Sequence, residues 1–211
     1  MILETAQQAA AAAVDLILSI AAEHRGDVHA VRRALSVENQ GLYGLGCGGR
    51  DPKAPAPFSL YQPRKGEAEA IAKARRAKGR VWSDCSGALS WFWGESRKDT
   101  DDGEDEIDGD WFACDSLYAD AVGPRRFVRS IAAAELVPGD GLVYPGRWVA
   151  GRRVAIGHCS MVIWRPAVVR CFADVLIVHC HGPSGTGPAI TRAHGALWDR
   201  KGGVGLRRVR R

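Results

Sequence analysis

No two of the six cysteines in this chain, at positions 47, 85, 114, 159, 171 and 180, stand two residues apart. That spacing excludes a zinc ribbon or finger, whose ligands come in close pairs. A secretory leader is not expected either. Met1-Ile2-Leu3-Glu4 has no basic segment, and Glu4 and Asp15 interrupt the apolar run that follows. A disulfide framework is therefore not expected, and the thiols should be reduced and mostly buried. No uncharged apolar run approaches the ~18 residues of a transmembrane helix, so membrane insertion is not expected. The glycine-rich stretch Gly41-Leu-Tyr-Gly-Leu-Gly-Cys-Gly-Gly49 lacks the Lys-Ser or Lys-Thr of a P-loop and has no strand–helix frame for a dinucleotide. No RNP-like, finger or helix-turn-helix signature accompanies the basic residues, which argues against a nucleic-acid partner.

What is present describes one domain over residues 1–211, with an N-terminal helical extension over about 1–40. The 211 residues are 46% hydrophobic and 25% charged, with a net charge of +5. The charge is uneven. Residues 99–110 hold eight acids and no base, and residues 192–211 hold seven Lys or Arg against Asp199 alone. A basic tail suits a polyanion such as an anionic cell-wall polymer. Within the acidic stretch, Glu104, Glu106, Asp108, Gly109 and Asp115 stand at the spacing of a calcium loop. Its first and twelfth positions depart from that pattern, and the reading is a solvated acidic loop.

Helices come first and strands last, which predicts an α+β fold with N-terminal helices packed on a C-terminal antiparallel β-sheet. Val14, Leu16, Ile17 and Ile20 lie at helical spacing in an alanine-rich run that Gly26 closes. Asp27 can cap a second helix through Val28, Val31 and Leu35. The four prolines at 52, 55, 57 and 63 make an irregular excursion, and residues 66–78 read as a charged, exposed helix. A helix over 111–122 ends at Gly123-Pro124. Pro138-Gly139 takes the centre of a type II turn that launches Leu142-Val143-Tyr144. Trp148 to Val154 suggests a hairpin. Strands follow over His158–Trp164 and Ala173–His181.

The chemistry centres on Ser83-Asp84-Cys85-Ser86-Gly87. Asp84 or Ser86 can cap a helix that opens there, leaving Cys85 in its first turn. Free backbone N–H groups and the positive end of the helix dipole favour a thiolate at that place. Of only six histidines, His158 opens one strand while His179 and His181 share a face at the end of the next. A sheet carrying these imidazoles can pack on the Cys85 helix and assemble a thiolate, a general base and a group that orients the base. Cys159, Cys180 and the three histidines also offer zinc-type ligands. Cys159 and Cys180 alternate away from the histidines toward the core, so no metal and no cofactor is assigned.

Asp84-Cys85-Ser86-Gly87, Pro138-Gly139-Asp140 before a short strand, Gly157-His158 before an apolar strand, and Val178-His179-Cys180 together resemble the motifs of the NlpC/P60 cysteine peptidases. The resemblance spans about residues 82–187. It implies a papain-like core and hydrolysis of amide bonds in peptidoglycan stem peptides, often between D-glutamate and a diamino acid. It implies Cys85 as nucleophile, His158 as general base and His179 as the residue that orients it, with His181 as the alternative. It implies substrate contacts from the cysteine motif, Asp84 and Ser86, from His181, and from Tyr43, about forty residues upstream of Cys85. The partner would be bacterial peptidoglycan. Synthesis in the cytoplasm without a leader points to a phage-type lysin or tail-associated hydrolase, released by a holin or carried by a phage tail. The alternatives are a CHAP-type peptidoglycan amidase, or a virion protein that binds cell wall or nucleic acid without catalysis.

Overall fold

In the computed structural model the described residues are 2–44, 48–49, 51–58, 68–70, 73, 82–95, 113–123, 127–180, 187–194, 198 and 201–209. Four helices are defined among them: α1 (Ile2–Glu23), α2 (Val28–Ser36), α3 (Cys85–Phe92) and α4 (Cys114–Val122). The strands are β1 (Leu42–Tyr43), β2 (Trp82–Ser83), β3 (Val128–Ile131), β4 (Gly141–Tyr144), β5 (Arg147–Val149), β6 (Arg152–Ala155), β7 (His158–Trp164), β8 (Leu176–His179), β9 (Ala189–Arg192) and β10 (Val204–Arg208). The class is α+β, with helices preceding an antiparallel six-stranded sheet in the order β3-β10-β4-β7-β8-β9. No helix among the described residues is long and apolar enough to cross a membrane.

Side-chain alternation gives the sheet two buried faces. Val143, Cys159, Met161, Ile163, Val178, Cys180 and Leu206 point to the helical side, where they meet Leu89 and Phe92 of α3, Leu117 of α4 and Val31 of α2. Leu142, Tyr144, Val162 and Ile177 point the other way, under Val169, Val175 and Trp198. Both faces being covered explains why β4 and β7 read as nearly continuous apolar runs.

Local chemistry sets the turns. Asp27 caps α2 by accepting from the Ala30 N–H at 3.0 Å. Gly139 has a φ of +96°, the value that the third residue of a type II turn demands, and it lies against Asp27 where a Cβ would collide. Ala150 and Gly151, both at positive φ, turn the β5–β6 hairpin, which stands apart from the main sheet.

Three expectations change in detail. Leu16 does not pack: it is 61% exposed, and among the described side chains of α1 only Ala21, near its end, is fully buried. The fourth helix begins at Cys114. The strand expected from Ala173 begins at Leu176, after a 3-10 turn over Phe172–Asp174. There the Asp174 carboxylate accepts from the backbone of Arg170 and Cys171 and holds the chain out of the ladder. Of the helix read over 66–78, only 68, 69, 70 and 73 are described; 69, 70 and 73 are helical and 68 is not.

Candidate active site

Asp84 has extended backbone angles and caps α3. Its Oδ1 accepts from the Gly87 N–H at 2.7 Å and from the Ser86 hydroxyl at 3.2 Å. Both residues are buried, and what these atoms hold is the start of the helix. Cys85 is thereby fixed at the first helical position, 4% exposed. The loop of Gly48 and Gly49 presses onto this helix. Gly49 has a φ of +73°, and a Cβ there would run into the Gly87 carbonyl and the Ser90 hydroxyl. Trp91 Nε1 donates to the Ala54 carbonyl at 2.9 Å, which ties the proline-rich excursion to the same helix.

Tyr43 is brought to the site despite its distance in sequence. β1 pairs in parallel with β2, with Tyr43 opposite Ser83 and the Gly44 N–H donating to the Ser83 carbonyl at 3.0 Å. Tyr43 is half-buried. The same segment is anchored at its other end by Gly41, which bridges to Gly187 just ahead of β9.

β7 supplies the imidazole. His158 is its first residue and pairs with Tyr144 of β4. The register of β7 with β8, Met161 opposite Val178, carries His179 to the same sheet face. His158 Nε2 lies 2.8 Å from His179 Nδ1, and His179 Nε2 lies 3.1 Å from the Thr191 hydroxyl on β9. His158 also contacts Cys85, where its charge and a hydrogen bond favour the thiolate. With Nε2 engaged by His179, Nδ1 is the ring nitrogen left for the thiol. Cys85, His158, His179 and Thr191 thus form one chain of groups running from a buried sulfur to an exposed hydroxyl. His158 packs against Tyr144 and Trp198, with ring centroids 5.9 and 6.0 Å away. His181 lies outside the described residues.

The surroundings of the sulfur were not foreseen. Cys114 opens α4 as Cys85 opens α3, and the two sulfurs are 3.5 Å apart. Cys159, next to His158 but on the helical face, completes a trio whose sulfurs all lie within 4.8 Å of one another. The cysteine that joins them is Cys114, not Cys180, and nothing in its sequence spacing signals this. Hydrogen bonds from Cys114 and then Cys159 hold the Cys85 thiol well below the usual thiol range, against the opposing effect of burial, and the charge of His158 adds to them. Cys159 is pushed well above that range, chiefly by burial. Cys114 ends well above it too. A hydrogen bond from Cys159 pulls it down, but the hydrogen bond it gives to Cys85, burial, and the Cys85 and Asp84 charges outweigh that pull. The three titrate as a set, and their shifts favour Cys85 as the one that carries a negative charge.

Of the calcium-like stretch only Asp115 is described. Its carboxylate accepts from the Gly146 N–H at 2.5 Å and pairs with Arg153 at 2.9 Å. Glu104, Glu106, Asp108 and Gly109 lie outside the described residues.

No protein-family model, curated protein or solved structure matches the chain.

Proposed function

We propose that this protein is a cysteine peptidase with a papain-like core that hydrolyses amide bonds in the stem peptides of bacterial peptidoglycan. The observation that carries the reading is the His158 ring, which meets the Cys85 sulfur on one side and His179 at 2.8 Å on the other. A nucleophile, a base and a group orienting the base are what acyl transfer through a thiolate requires.

The steps follow from the positions. The Cys85 thiolate attacks the amide carbonyl carbon, and the carbonyl π pair moves to oxygen. The backbone N–H of Cys85, at the start of α3, is a donor for that oxyanion. His158, protonated at Nδ1, gives its proton to the leaving amine as the C–N bond breaks. The imidazole then takes a proton from water, which attacks the thioester and frees Cys85. His179 fixes the tautomer and ring plane of His158, and Thr191 does the same for His179. Tyr43, beside the cysteine motif, is suited to contact the substrate. The basic tail suits an anionic wall.

Muropeptide mass spectrometry after digestion of purified peptidoglycan tests the reading, wild type beside Cys85→Ala. New amine and carboxyl ends inside the stem, made only by the wild type, support it. Cleavage between sugar and peptide would replace it with an amidase. Equal digestion by Cys85→Ala would remove the thiol from the chemistry.

A further inference from the structure

Acyl transfer uses one thiol, yet three are gathered here. Cys114 and Cys159 are buried to 8% and 0% exposure, and both sulfurs face Cys85. A hydrophobic core does not need three sulfurs in mutual contact when Cys180, on the same sheet face, is buried outside the trio. A disulfide between Cys85 and Cys114 would require an oxidant. It would also require the sulfurs to close from 3.5 Å to the ~2.0 Å bond length. And it would leave the third thiol without a part.

A soft cation uses all three. Zinc–thiolate bonds of ~2.3 Å at tetrahedral angles place the sulfurs about 3.8 Å apart. One separation in the trio is 3.5 Å and all three sulfurs lie within 4.8 Å of one another, so small side-chain shifts would bring them to that value. Thiolate-only sets select zinc and other soft d10 ions over calcium, magnesium or manganese. Three thiolates leave the fourth position of the tetrahedron for water or for the His158 ring. His179 and Thr191 stand behind that ring as outer partners of the kind that orient a metal-bound histidine.

We infer that Cys85, Cys114 and Cys159 form a binding site for one soft divalent cation, zinc, in which the nucleophile itself is a ligand. Its consequence for turnover rests on the peptidase reading: a thiolate committed to the metal cannot attack a carbonyl, so the loaded protein is the resting form and removal of the ion releases activity. Binding itself does not depend on that reading.

The test uses the full chain, stripped with a chelator under a non-thiol reductant and titrated with Co²⁺ alone as the spectroscopic probe. The expected result is saturation at one Co²⁺ per chain. It should carry a thiolate-to-cobalt charge-transfer band and tetrahedral visible bands, and one equivalent of Zn²⁺ should bleach both. Cys114→Ser and Cys159→Ser should each weaken binding by at least about 100-fold, since even an outer partner of a metal ligand is worth about 10–100-fold. Cys180→Ser should bind like wild type. Circular dichroism checks that each variant is folded, and either serine variant alone suffices if the other fails to fold. A cobalt spectrum without the charge-transfer band, or one unchanged in both serine variants, overturns the inference. Peptidoglycan turnover is read separately. A chelator that restores activity to zinc-treated protein supports the masking. Full activity with the site saturated overturns it. Tight three-thiolate binding in a protein that never cleaves peptidoglycan would uphold the site and defeat the peptidase reading instead.

Discussion

Two buried polar clusters of this protein are built to opposite ends. In one, Asp140 at the start of β4 is 5% exposed, and its carboxylate is fully engaged. It accepts from Arg207 Nε at 3.0 Å, Arg207 Nη2 at 2.7 Å and the Val137 N–H at 2.8 Å. Burial pushes the Asp140 carboxyl up, and Arg207 answers by gripping its own proton more tightly through the same hydrogen bond. The pair has one arrangement of charge. In the other, three thiols are gathered beside two imidazoles, and a charge on Cys85 is favoured at the expense of Cys114 and Cys159. Both clusters pay desolvation. The first is compensated by fixed bonds and fastens β4 to β10. The second sets one thiol apart from its two neighbours by favouring the charge on Cys85 alone, which chemistry needs and stability does not.

The sharpest way to break the comparison is to delete one group from each cluster. Cys85→Ala should lower hydrolysis of peptidoglycan by about 10⁴-fold or more, as loss of a covalent nucleophile does. The thermal midpoint should move by no more than about 3 °C, since ~1 kcal/mol corresponds to ~2–4 °C at this chain length. Turnover on muropeptides and a melting curve on the same preparation check both. His179→Ala should cost about 100-fold in kcat with little change in KM, because it removes the group that orients the base. His179→Asn should recover part of that loss, and a rise in KM alone would place His179 in substrate binding instead.

Arg207→Met should do the reverse. Removing one partner of a buried pair costs about 3–5 kcal/mol, and the 30% exposure of the Arg207 side chain brings the expectation down to about 2–3. Denaturant unfolding should show that loss, while activity per folded molecule stays within about twofold. Asp140→Asn in the same background should recover part of the stability, because the orphaned charge is then gone.

How far the sequence foretold each cluster follows the range of the forces involved. The cap at Asp84, the turn at Gly139, the hairpin at Ala150-Gly151 and the strand from His158 are set by residues next to one another, and they are legible. The pairing of His158 with a β8 imidazole needed one further step, antiparallel register. Cys114 beside Cys85 is a contact between two helix starts, fixed by how α3 and α4 pack on the sheet, and no spacing encodes it. Thr191 on β9 is hidden for the same reason. Leu16 misled because helical periodicity says that a face exists, not that anything covers it.

The smallest expected effect probes whether the thiol cluster shares its charge at all. In metal-free protein the Cys85 thiolate should persist below the ordinary thiol range, held chiefly by Cys114 and then by Cys159. Thiolate ultraviolet absorbance, taken as wild type minus Cys85→Ala, reads this without requiring access to a sulfur that is 4% exposed. Cys159→Ala should shift the titration toward higher pH, and Cys114→Ala should shift it further, since its hydrogen bond is the larger cause. The sign carries into stability. A thiol whose folded value lies below its unfolded one favours the fold fully above the unfolded value, and that contribution is lost as pH falls through the folded one. Folding free energy measured across that window should therefore decline toward acid in wild type and decline less in Cys85→Ala. Three coincident titrations would mean that the charge is not shared. Cys85 would then resemble Cys180, a buried thiol pushed well above its usual range mainly by burial, and the contrast with the Asp140–Arg207 pair would lose its physical basis.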